Sequence, residues 1–200
     1  MHVSGVLAFS EDDAISAKSY TASAFAGSEK WMHSVKSQDN KNILVENSTV
    51  WSVCGGLKIG WGAGMNTTDV TFRDCTVYRA MTGIDVTFRH GDALVSDILF
   101  EDITVEGFSP RVVTGKTYNT QFFMIRALSE TGGAVKNITL RNISVLGSWS
   151  TSNQVRGVSA ESCVDNVVFE NITLRGKQVK DLSGLVKQGD FTTNVKLNKN

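Results

Sequence analysis

NILVENSTV (42–50), DVTFRDCTV (69–77), DILFEDITV (97–105), NITLRNISV (137–145) and NVVFENITL (166–174) are five versions of one nine-residue unit, and a sixth opens at Asn194 with NVKL. The unit reads Asn/Asp, Ile/Val, any residue, an apolar residue, Glu/Arg, Asn/Asp, any residue, Thr/Ser, Val/Leu. Its first apolar pair alternates with period two, which belongs to a strand. The second Asn/Asp breaks the alternation and marks a corner, where short amide and carboxylate side chains satisfy turn backbone. Stacked units place Asn47, Asp74, Asp102, Asn142 and Asn171 in one column, and Ser48, Cys75, Ile103, Ile143 and Ile172 in an interior stack.

Successive units start about 28 residues apart, except for one wider step from Asp97 to Asn137. A second alternating segment follows each: GLKIG (56–60), GIDVT (83–87), FFMIR (122–126) and GVSAE (157–161), with AISAK (14–18) in the same phase ahead of them. Two or three short strands per coil of this length are too long for a hexapeptide helix and too short for a propeller blade, and no leucine ladder is present. The reading is an all-β, right-handed parallel β-helix, one domain over residues 1–200. No amphipathic capping helix precedes Met1 and the last unit stops mid-coil, so the expectation is a fragment lacking both end caps. The wide step implies an insertion within Glu106–Thr120, and Ser19–Asp39, carrying Trp31, is a second protrusion. Loops on a solenoid usually build its binding face.

Lysine plus arginine equals aspartate plus glutamate at 20 each, so the net charge is zero. That removes the phosphate-neutralising surplus of a nucleic-acid binder. No apolar run approaches the length of a membrane span. Cys54, Cys75 and Cys163 have no metal-type spacing and leave at least one thiol unpaired; buried free thiols are the expectation. Most Asn-x-Ser/Thr matches fall on repeat corners and are not read as glycosylation sites.

The sharpest chemical feature is SEDDAISAK (10–18), where Asp12 and Asp13 adjoin just before a strand. Inverting glycoside cleavage needs one protonated carboxyl to release the leaving oxygen and one carboxylate to activate water, and neighbouring like charges push two pKa values apart. Strict alternation would send Asp13 inward, so the chain must bend there for both carboxyls to face a cleft. The competing reading is a pair of turn aspartates like those at the other corners.

These residues resemble the paired-aspartate motif of the polygalacturonase family of glycoside hydrolases (family 28), whose fold is the pectin-lyase-like solenoid. CGGLKIG (54–60) resembles that family's next coil, and with Trp61 also that of the dextranase and isopullulanase family. The resemblance implies Asp12 as general acid and Asp13 as water-activating base. Departures accompany it: the family histidine position falls on Gly55, the substrate-binding cations fall on Asp85 and Thr87, and the family's upstream carboxylate would lie ahead of Met1. A neutral polysaccharide is therefore the expected substrate. Lys58 and Asp85, one and two coils beyond Ser16 in one outward column, bind sugar hydroxyls or pair with each other. Lys18, Arg89 and His90 are further substrate-binding candidates, and Trp61 and Trp31 offer faces for sugar rings.

The sequence thus predicts a secreted or periplasmic, monomeric, metal- and cofactor-free hydrolase of polysaccharides or oligosaccharides, with no nucleic-acid or membrane partner. Two alternatives stay open: a non-catalytic carbohydrate-binding or adhesive β-helix, and a polysaccharide lyase.

Overall fold

A computed structural model describes residues 1–19 and 38–198, and Trp31 lies outside them. The chain is a stack of coils with no helix among the described residues. The larger sheet runs β1 (His2–Ser4), β4 (Asn40–Glu46), β7 (Thr67–Arg79), β9 (Val95–Val105), β13 (Val135–Val145), β15 (Val164–Leu174) and β18 (Thr192–Asn198), each parallel to the next. Shorter strands β2 (Leu7–Ser10), β5 (Thr49–Ser52) and β16 (Lys177–Gln178) extend it. The second sheet runs β3 (Ile15–Ser19), β6 (Gly55–Ala63), β8 (Thr82–His90), β12 (Gln121–Ala127), β14 (Gln154–Arg156) and β17 (Lys187–Gln188), also parallel throughout. These are the stacked parallel sheets of a parallel β-helix.

The repeat register holds residue by residue. Ile43, Val70, Ile98, Ile138, Val167 and Val195 pair in unbroken succession. Beside them Phe72 and Phe100 stack with ring centroids 5.1 Å apart and planes 3° from parallel. Cys75, Ile103, Ile143 and Ile172 form the expected interior column, with Ser48 also buried. All three cysteines are free, but only Cys75 is fully buried; Cys54 and Cys163 are half-buried.

Both Asn/Asp columns adopt positive φ, from 49° to 58°. The first position of the unit is therefore a left-handed kink as well as the sixth. Asparagine and aspartate tolerate this conformation best among residues with a Cβ. Where amides are available the side chains bond from coil to coil: Asn142 donates to Asp102 at 2.9 Å and accepts from Asn171 at 2.9 Å. Between the kinks, Glu46, Arg73, Glu101, Arg141 and Glu170 alternate in charge down the stack, with Arg141 bridging Glu101 at 3.0 Å and Glu170 at 2.6 Å. Such columns penalise a one-residue slip, because a slip would unseat the left-handed positions and the charge alternation together.

This arrangement predicts an order of stability. Asn142→Gly keeps the left-handed backbone but loses two ladder bonds. Asn142→Ala loses them and adds the cost of a Cβ in that conformation. Thermal or urea unfolding should rank wild type above Gly and Gly above Ala, the alanine variant down by about 2–4 kcal/mol. Alanine equal to wild type would remove the ladder from the account.

Two details depart from the sequence reading. The coil expected to carry a strand at 157–161 instead has it at Gln154–Arg156, with Met124 and Ile125 opposite Gln154 and Val155. Gly157 turns the chain out of the sheet: a Cβ there would lie 2.5 Å from the Ser162 carbonyl oxygen, and Val158 N–H bonds that same carbonyl at 2.9 Å. The insertion after β9 is not an irregular loop but an antiparallel hairpin, β10 (Arg111–Val113) and β11 (Lys116–Tyr118). Its two-residue connection, Thr114 (φ 47°) and Gly115 (φ 79°), has the double positive φ that matches hairpin twist.

Candidate active site

Asp12 and Asp13 lie on a bend between β2 and β3, and the bend resolves the alternation problem. Ile15 and Ala17 pair with Leu57 and Ile59 over the core, while the chain ahead of them is free to turn. Ser52, fully buried, bonds the Asp12 carbonyl at 2.5 Å and accepts Cys54 N–H at 2.8 Å, tying the bend to the next coil. Asp13 is thereby turned outward, beside the column of Ser16, Lys58 and Asp85.

Lys18 donates to Asp13 Oδ2 at 2.8 Å, and Lys58 to Oδ1 at 3.0 Å. Gly55 N–H adds a bond to Oδ1 at 3.1 Å. A Cβ on residue 55 would sit 3.0 Å from Asp13 Oδ1 and 3.2 Å from Lys58 Cδ, so the glycine leaves room for the carboxylate and ammonium to meet. The side chain of Asp13 is 6% exposed and that of Asp12 72%. Burial alone would raise the Asp13 pKa, but Lys18 and Lys58 together outweigh it and hold the carboxyl below its ordinary value. Asp13 is thus an ionised carboxylate with both oxygens occupied.

Lys58, 4% exposed, also bridges Asp85 Oδ2 at 3.1 Å. Burial opposes its charge, but Asp85 and Asp13 overcome this and raise its pKa. Asp85 accepts a short hydrogen bond from Thr87 as well. The outward column read from the sequence is therefore real, and its members pair with each other. Trp61 lies under cations, with Lys58 Nζ 5.2 Å and the Arg89 guanidinium 5.1 Å from its ring centroid.

A cleft of about 520 Å³ opens beside the aspartates, walled by Cys54, Lys58, Trp61, Asp85, Arg111 and Arg126 among others. Asp12 and Asp13 are not themselves part of its wall; they reach it through Lys58, which holds Asp13, and Arg111, which approaches Asp12. Arg111, carried in by the hairpin, reaches within 4.0 Å of Asp12 Oδ1 and 3.5 Å of Cys54 Sγ. Arg126, half-buried, sits one coil beyond Thr87 and donates to its hydroxyl at 3.2–3.3 Å. Neither arginine was singled out from sequence, though Arg126 ends one of the repeated strands. Arg89 and His90 line a neighbouring groove of about 780 Å³ rather than this cleft, although Arg89 stacks on Trp61 of the cleft wall.

Asp12, Asp13 and Cys54 hold ligand-type atoms within 4.8 Å of one another, the one such cluster among the described residues. Their chemistry suits a divalent cation poorly. Two ammonium groups already neutralise Asp13, and burial, then Asp13, pushes the Cys54 thiol up to about 11, so it stays protonated at neutral pH.

A model of the family described as Glycosyl hydrolases family 28 matches residues 3–193. The chain belongs to that family. Its members are glycoside hydrolases acting on polysaccharides, and the match agrees with the β-helix. A search of curated proteins and one of solved structures returned no match.

Proposed function

We propose that this family 28 chain hydrolyses glycosidic bonds of a polysaccharide with Asp12 as general acid and Asp13 as general base. The observation that carries the reading is the environment of Asp13, ionised and fixed by Lys18 and Lys58 beside an exposed second carboxyl. In this scheme Asp12 gives its proton to the glycosidic oxygen as the C–O bond breaks. Asp13 takes a proton from the water whose oxygen bonds the anomeric carbon. The electron pair of the broken bond leaves with the departing sugar.

One oxygen of each carboxyl lies within 4.8 Å of the other, whereas the spacing that distinguishes inverting from retaining pairs is taken between whole carboxyl groups. Water activation with inversion is the route that the resemblance of SEDDAISAK to the family's paired aspartates implies. Arg111 and Arg126 around the cleft favour an acidic chain over the neutral glycan expected from Asp85 and Thr87, because guanidinium groups pair readily with carboxylates. A secreted or periplasmic site of action suits such a substrate.

Reducing-end release from polygalacturonate, its methyl ester and neutral glucans, with the first-formed anomer followed by proton NMR, tests the reading. Cleavage of the acidic chain with inverted configuration is expected. Retention would sink the roles assigned, and an unsaturated product absorbing in the ultraviolet would mean a lyase. Binding without cleavage of any glycan would leave the carbohydrate-binding module.

A further inference from the structure

We propose that Arg89, Arg126 and Arg156 form a second, anion-binding subsite in the groove beyond the cleft, which grips a carboxylate or sulfate ester on a more distant residue of the glycan. The proposal rests on the hydrolase reading for the direction of the chain, but not for the binding itself.

Register places the arginines. Thr87, Arg126 and Arg156 occupy one outward column on three successive coils, and Arg89 stands two residues beyond Thr87, on the same side of its strand. Cross-strand neighbours in a sheet lie about 4.8 Å apart, so Arg126 and Arg156 are like charges set directly side by side, an arrangement that costs stability. Arg89 adds to the repulsion: both it and Arg156 act to lower the pKa of Arg126, after burial, against the opposing pull of Asp85.

No ion pair to any of the three occurs among the described residues. Asp92 and Glu130 line the same groove and bridge neither Arg89, Arg126 nor Arg156 within it. Elsewhere in this chain adjacent coils place Glu against Arg, as in the column from Glu46 to Glu170. Here the alternation is absent along the groove, and the missing counter-charge is what an anionic ligand would supply. Arg126 lines both the groove and the cleft beside Asp12 and Asp13. A single extended chain could therefore pass from one to the other, three to four coils along the axis, or roughly 14–19 Å at the strand spacing.

The test measures binding by calorimetry in chains carrying Asp13→Asn, so that no cleavage competes. The probes are polygalacturonate, its highly methyl-esterified form, dextran sulfate and dextran. Arg156→Gln and the pair Arg89→Gln/Arg156→Gln should each weaken an anionic chain by roughly tenfold or more, with the esterified chain and dextran unaffected. Loss confined to polygalacturonate identifies a uronate, and loss confined to dextran sulfate a sulfate ester. A purely structural role for Arg156 would lower the melting temperature of the unliganded chain, whereas relief of repulsion leaves it equal or higher. The proposal is overturned if neither anionic chain binds the parent, if both bind the double variant as tightly as the parent, or if neutral chains bind equally well. Arginine-dependent binding without hydrolysis in the wild type would keep the subsite and sink the hydrolase. Intact hydrolysis with unchanged binding would do the reverse.

Discussion

Asp12→Asn and Asp13→Asn are each expected to lower polysaccharide turnover by about a hundred- to ten-thousand-fold, the usual worth of a positioned proton-transfer group. Folding should survive both, since asparagine fills nearly the same space and suits a bend equally well. The two variants should nonetheless differ. An amide at position 12 cannot protonate the leaving oxygen, so a substrate with an aryl leaving group that departs without a proton should recover much of the lost rate. The same substrate should not rescue Asp13→Asn, because water still lacks its base. Stability should separate them too: Asp12 is exposed and 4.0 Å from its nearest cation, whereas Asp13 carries two ammonium groups. Circular dichroism and kcat on both substrate types decide the matter. Wild-type rates in both variants would reduce the pair to bend residues. Equal rescue of both by the aryl substrate would undo the division of roles.

The fold was legible because each coil repeats a chemical demand at a fixed position. A left-handed kink needs Asn or Asp, an interior rung needs Ile, Val or Phe, and five copies of that pattern specify stacking and register together. The strand at Gln154–Arg156 was misplaced because GVSAE imitates the alternation. What overrides it is the close packing of Gly157 on Ser162, which period-two counting does not encode. Within the site, the column of Ser16, Lys58 and Asp85 followed from register alone. Arg111 did not, since the hairpin that delivers it interrupts the repeat and its direction depends on the Thr114–Gly115 turn. Arg126 stood in view at the end of a repeated strand. The family motif points instead to Asp85 and Thr87, one coil earlier. Cys54 was read as inert core, and burial does keep its thiol protonated, but it forms part of the cleft wall.

Lys58→Met should destabilise the chain by about 3–5 kcal/mol, because it strands Asp85 and weakens the pairing of Asp13 where water is scarce. The accompanying effect on pH dependence is the more telling. The folded pKa of Asp13 lies below its ordinary value, so its ion pairing contributes stability above the ordinary carboxylate pKa, and that contribution is lost as pH falls through the lowered one. The same ionisation sets the acid limb of activity if Asp13 is the base. The groups facing it are Lys18 from β3, Lys58 and the Gly55 N–H from the next coil, and Cys54 and Asp12 alongside. Removing Lys58 leaves burial, which raises the pKa, opposed chiefly by Lys18, so the acid limb should move to higher pH. Adding Asp85→Asn removes the stranded charge, and Lys58→Met/Asp85→Asn should recover most of the lost stability while leaving the acid limb displaced. Urea unfolding and a pH–rate profile of kcat on the two variants separate these effects. Stability restored with the limb back at its wild-type position would mean that Lys58 serves only to neutralise Asp85, and that Lys18 alone keeps Asp13 charged.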